Sequence, residues 1–175
     1  MPISSRADLT RRICTDAVFV TAAMMLSYLE TLIPLNLILP IPGFKLGLAN
    51  AVTVLVFVLV GKKDAAVVSA LRILLMGLLF GSALSLFFSA LGGLFAYIAL
   101  LIAGRVLKKC SYIGLSVFCA AAHNLGQMLA ASCIFGFSVL LSYLPFLLFA
   151  AALSGTLTGI LLNLSIPTLQ RSIRR

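Results

Sequence analysis

Residues 65–104 read AAVVSALRILLMGLLFGSALSLFFSALGGLFAYIALLIAG, a run whose only charge is Arg72. As one helix it would be about 60 Å long, twice the hydrocarbon core of about 30 Å. The run must therefore turn, and Gly81-Ser82-Ala83-Leu84-Ser85 is the place for it. Arg72 sits in the middle of the first half. An arginine at that depth costs about 2.5–3.5 kcal/mol on insertion scales. Such a group is kept where it faces a protein interior with a partner or a ligand.

The rest of the chain agrees with a membrane assignment. The 175 residues are 62% hydrophobic and 10% charged, with mean hydropathy +1.21, whereas soluble domains are about 45–50% apolar and about 25% charged. From Cys110 to Gln170 there is no Lys, Arg, Asp or Glu, so that stretch also needs two spans, broken near 136–142. The sequence thus predicts an all-α membrane protein, a single domain over 1–175. Its six spans fall at about 13–33, 46–60, 65–81, 85–104, 112–135 and 140–166. Pro34, Pro40 and Pro42 exclude a regular helix in the apolar segment 31–45, which is expected to be a loop packed on the protein. The N-terminal apolar run is too long for a signal peptide and is expected to be retained.

The thirteen bases lie in short clusters between apolar runs, which argues for topology and against nucleic-acid binding. Eleven of them (Arg6, Arg11, Arg12, Lys62, Lys63, Arg105, Lys108, Lys109, Arg171, Arg174 and Arg175) fall on one side of a six-span chain, and Lys45 alone on the other. The positive-inside rule then puts both termini in the cytoplasm of a multi-pass cell-membrane protein. Cys14, Cys110, Cys119 and Cys133 lack metal or redox spacing and are expected to be reduced.

Each of the first five spans brings a polar group to its outer half or middle, as if to a common cavity open to the outside. The candidate substrate-binding residues are Glu30, Lys45, Asn50, Arg72, His123, Asn124 and Gln127. His123 and Gln127 share a helix face at i, i+4. The bland alternative is that Arg72 and Glu30 only neutralise one another as a brace. Lys45 adds a further positive charge, which favours an anionic or partly anionic ligand. Gly155 and Gly159 form a GxxxG pattern expected to serve close helix packing. The small residues of span one, Ala17, Thr21, Ala22 and Ala23, either pack internally or receive a partner helix.

Several functions are excluded or disfavoured. There is no GxxxxGK[ST], so this chain is not an ATPase. None of the four acids (Asp8, Asp16, Glu30, Asp64) is near another along the chain, so there is no aspartate cluster for metal-bound diphosphate. A single His without a nearby carboxylate disfavours zinc. The chain is therefore expected not to be an enzyme and to need no cofactor or metal. It binds something and relies on another component for energy.

Four blocks carry a resemblance: SYLE (Ser27–Glu30), PGFKLGLAN (Pro42–Asn50), LRILLMGLLFGS (Leu71–Ser82) and AHNLGQ (Ala122–Gln127). Together they resemble the Gx transporter family, also labelled heptaprenyl diphosphate synthase component I. That family is similar to the substrate-binding S components of energy-coupling factor (ECF) importers. The resemblance implies a six-helix subunit that binds a vitamin-like or precursor molecule from outside. Uptake would be driven by a transmembrane coupling protein and two cytoplasmic ATPase subunits. S components carry an AxxxA contact motif on the first helix, whose nearest equivalents here are Ala17 with Thr21 and Ala23 with Ser27. The synthase label finds no matching aspartate chemistry. It leaves as an alternative a membrane accessory subunit in prenyl diphosphate or quinone biosynthesis.

Overall fold

The computed structural model describes residues 6–32, 47–106 and 111–173. They form six α-helices: α1 (Arg6–Leu32), α2 (Asn50–Leu59), α3 (Lys62–Phe80), α4 (Ala83–Val106), α5 (Tyr112–Phe135) and α6 (Phe137–Ile173). The long turn expected at 81–85 is two residues, Gly81-Ser82. The break expected over 136–142 is Gly136 alone, which ends α5 at φ +90°, a conformation that only glycine adopts cheaply. Lys45, Cys110, Lys108, Lys109, Arg174, Arg175 and most of the proline loop lie outside the described residues.

Four helical stretches are long and apolar enough to cross a membrane: Arg6–Leu32, Ala83–Arg105, Tyr112–Phe135 and Leu144–Arg171. The protein is therefore a multi-pass membrane protein. The other two expected spans differ in kind. α3 is 19 residues long but carries Lys62, Lys63, Asp64 and Arg72. α2 has only ten residues, about 15 Å, because residues 47–49 form a turn where the sequence suggests a helix from residue 46. α1 in turn begins at Arg6, earlier than expected, so the basic segment from Arg6 to Arg12 is helical.

Helices α1 and α3 run side by side; α3 then packs on α4, α4 on α5 and α5 on α6. The short α2 touches all five of the others. Its sequence NAVTVLVFVL is apolar nearly all round, as a helix enclosed by protein should be, and Val52, Val54 and Val56 are buried. Two apolar clusters flank it. One joins Val20 and Ala23 of α1 to Val52 and Val56 and to Ala65 and Val68 of α3. The other joins Val54 to Ala99 and Leu100 of α4, Cys119 of α5, and Leu162 and Ile166 of α6.

Glycines bring the C-terminal helices close. A Cβ on Gly155 would lie 2.5 Å from Val117 Cα, and one on Gly159 would lie 2.5 Å from Ile113 Cα, so the GxxxG face is where α6 meets the α5 backbone. Large apolar side chains such as Val18 of α1, Leu78 of α3, and Phe149 and Leu164 of α6 are exposed, as a lipid-facing surface requires.

Candidate functional site: a buried arginine at the start of a short helix

Arg72 lies eight residues beyond Asp64 on α3, about 12 Å along the axis. The residue is 5% exposed. Its guanidinium donates from Nη1 to Ser27 Oγ on α1 at 3.2 Å, and from Nη2 to Asn50 Oδ1 at the start of α2 at 3.1 Å. Both partners are neutral. Arg72 Nε is buried and has no hydrogen-bond partner among the described residues.

Glu30, one turn beyond Ser27 on α1, is equally buried. Its Oε1 accepts the backbone N–H of Leu48 at 2.5 Å. Leu48 belongs to the turn that opens α2, where unpaired N–H groups and the helix dipole favour a negative charge. Glu30 thus ties α1 to the turn that precedes α2. The same turn needs Gly47 at φ +81°, and Asn50 N–H closes it onto Gly47 O at 2.9 Å.

His123 of α5 reaches this turn from the other half of the molecule. A Cβ on Gly47 would lie 2.9 Å from His123 Cδ2, and one on Gly92 of α4 would lie 2.7 Å from His123 Cε1. The imidazole therefore occupies a slot between two glycines. Gln127 lies beside it, its Cγ 2.9 Å from the same Gly92 position, so the i, i+4 pair faces α4 together. Asn124 points elsewhere: its Nδ2 donates to Leu147 O of α6 at 2.9 Å.

Of the seven candidate residues, the structure thus gathers Glu30, Asn50, Arg72 and His123 around the 47–50 turn, with Gln127 next to His123. Asn124 ties α5 to α6, and Lys45 lies outside the described residues. Among the described residues these groups are buried, and the two voids beside Asn50 are about 10 Å³ each, room for a single water. Ser27, expected from the sequence to be a partner-contact position, is a hydrogen-bond partner of Arg72 and is 1% exposed. Ala23 is likewise enclosed, while Ala17 and Thr21 are exposed. Spacing on α1 carried a signal for this: Ala23, Ser27 and Glu30 fall at i, i+4 and i+7, one helix face.

Residues 19–165 match the family model for heptaprenyl diphosphate synthase component I. The chain belongs to that family. The matched region runs from α1 into α6 and includes every residue of the Arg72 cluster. No curated protein and no solved structure shows a significant match. The component I family name is that of one part of a synthase. In this member, the described residues hold no group of three or more His, Cys, Asp or Glu placed to bind a metal ion.

A second charged contact lies at the far end of the α1–α3 interface. Arg12 donates from Nε to Asp64 Oδ1 and from Nη2 to Asp64 Oδ2, the latter at 2.8 Å. This bidentate bond holds the Asp64 carboxyl, just ahead of the apolar part of α3, below the usual carboxylate range. Asp16, one turn beyond Arg12, lies close enough to feel the Asp64 charge. Helix packing thus brings together Asp16 and Asp64, which are far apart in the sequence. Tyr97 of α4 donates its hydroxyl to Lys62 O at 2.9 Å and adds a third helix to this end.

Proposed function

We propose that this chain is the substrate-binding subunit of an ECF-type importer, taking a small anionic, vitamin-like or precursor molecule from the extracellular side. The observation that carries the proposal is Arg72, a buried guanidinium whose hydrogen-bond acceptors among the described residues are neutral and whose Nε has no partner among them. A charge kept for bracing is better served by a direct carboxylate partner, and this protein uses one elsewhere, at Arg12–Asp64. The family resemblance supports the same conclusion. In it, the chain crosses the cell membrane six times, with both termini cytoplasmic, and works with a transmembrane coupling protein and two ATPase subunits. The exposed Ala17 and Thr21 of α1 are available to such a coupling protein.

Ligand entry at Arg72 requires the 47–50 turn to move, because Glu30, Asn50 and His123 all meet there. The bond from Leu48 N–H to Glu30 then acts as the latch on that turn. Native mass spectrometry of the protein as purified tests the proposal. A small water-soluble mass on the wild type, absent from Arg72→Ala, is expected. The family name favours a second function, a membrane accessory subunit in prenyl diphosphate or quinone biosynthesis. A prenyl chain retained in place of a soluble anion, with no ATPase-linked partner recovered, decides for that function.

A further inference from the structure

Asn50 has two sides. Its Oδ1 is committed to Arg72, so its Nδ2 is turned away from the guanidinium. Two voids adjoin Asn50 between α2 and the C-terminal helices. One is lined by Gly47, Asn50, Ser116, Ser154 and Thr158 among others, the second by Asn50, Thr53, Gly93 and Ala96 among others. Each has room for about one water molecule.

Three residues that line these voids each carry a buried polar atom with no hydrogen-bond partner among the described residues: Asn50 Nδ2, Thr53 Oγ1 and Ser116 Oγ. Their residues are 6%, 4% and 4% exposed. Two further hydroxyls in the first void differ. Ser154 and Thr158 donate to carbonyls of their own helix, at Ala151 and Gly155, and keep lone pairs for another donor. Buried, unpartnered hydroxyls are costly, and Val and Ala would fill a purely packed seam better. Polar atoms bordering voids of water size are the conditions for an ordered internal water.

We propose that Asn50, Thr53 and Ser116 form a second, uncharged polar subsite. It is hydrated in the ligand-free protein and takes a hydroxyl or carbonyl group of a ligand whose anionic end sits at Arg72. The ligand class is therefore a small hydroxy or oxo acid, not a plain hydrocarbon acid. The ligand's share of this subsite rests on the importer proposal; its hydration does not. The subsite lies across the seam between α2 and the C-terminal half, so one ligand held at both ends would bind the two halves together.

Thr53→Val and Ser116→Ala, near-isosteric changes, test it against the wild type in one detergent by thermal melting and native mass spectrometry. Each variant is expected to lose about 2–4 °C in Tm as a bound water loses a partner. The occupancy of the small mass retained by the wild type is expected to fall at least tenfold in each. An unchanged or higher Tm in both variants overturns the subsite, because dry hydroxyls gain from apolar replacement. A lower Tm in both, with no ligand mass on the wild type, upholds the hydration and overturns the importer proposal together with the ligand's share.

Discussion

Arg12 and Arg72 both reach across the interface between α1 and α3, in opposite directions and at different depths. Arg12 leaves α1 for Asp64 and finds a carboxylate that accepts two of its N–H groups. Arg72 leaves α3 for Ser27 and Asn50 and finds two neutral oxygens, with the Glu30 carboxylate near enough for its charge to act but not hydrogen-bonded to it. Arg12 keeps a side chain 32% exposed, whereas the Arg72 residue is 5% exposed. The better-paired charge is thus the more accessible one. Simple neutralisation would produce the reverse, since burial raises the penalty for an incompletely satisfied charge. The difference separates a contact that holds helices together from a group held ready for something else.

The most severe challenge to this contrast is a change at Arg72 itself. Arg72→Met removes a buried charge and keeps most of the side-chain volume. Its Tm is expected to fall by only a few degrees, because the desolvation cost of the buried charge disappears together with the bonds to Ser27 and Asn50. Ligand retention, in contrast, is expected to fall on the order of a hundredfold, the range found when one member of a buried charged contact is removed. A large loss of Tm with unchanged retention would make Arg72 a brace after all.

Gly92→Ala approaches the same cluster from a distance. The added methyl would lie 2.7–2.9 Å from His123 and Gln127, so the imidazole must leave its slot or the helices must part. Overpacking of this kind costs about 1–3 kcal/mol. Both Tm and ligand retention are expected to drop, measured on the same sample, because His123 also contacts the 47–50 turn.

Asp64→Asn probes the other arginine. It removes the charge from a hydrogen-bonded ion pair whose arginine is partly exposed, and a stability loss of about 1 kcal/mol is expected. Retained ligand should be unaffected. If ligand were lost along with stability, the two ends of the α1–α3 interface would be coupled.

The smallest effect is the pH dependence of that contact. Asp64 titrates below its ordinary value of 3.8 in the folded protein. Its contribution is therefore fully present above the unfolded pKa and fades as pH falls through the lower, folded one. Melting in detergent from pH 6 to pH 3 should show an acid loss that is reduced in Asp64→Asn. An acid loss of equal size in the variant would assign it to other carboxylates.

Much of the fold was legible because bilayer length and charge placement leave few options. The forty-residue run from Ala65 to Gly104 had to fold back, and it does so at Gly81-Ser82. The uncharged run from Cys110 to Gln170 had to do the same, and glycine at 136 supplies the turn. The length of α2 was less legible. An apolar segment bounded by Lys45 and Lys62 looks like a span, and only the turn at Gly47 reduces it to ten residues.

Within the site, residue types pointed to Glu30, Asn50, Arg72 and His123 as polar groups inside an apolar chain. Their partners were not legible. Nothing in the sequence states that Ser27 rather than Glu30 accepts from Arg72, or that Glu30 holds the turn before α2 through the Leu48 amide. A backbone N–H has no side-chain signature, and a serine in a small-residue stripe looks like a packing position. Thr53 and Ser116 were missed for the same reason: single hydroxyls in apolar helices are common and gain meaning only where helix packing leaves a void beside each of them.

Consecutive residues were enough to establish a helical membrane protein, the places where its long apolar runs must turn, and a charge buried within it. Hydrophobic length and the cost of burying charge are local quantities. What each charge meets is not local. Helix packing put Arg12 against Asp64 and Arg72 against Ser27 and Asn50, because contact across α1 and α3 depends on how two helices are set side by side.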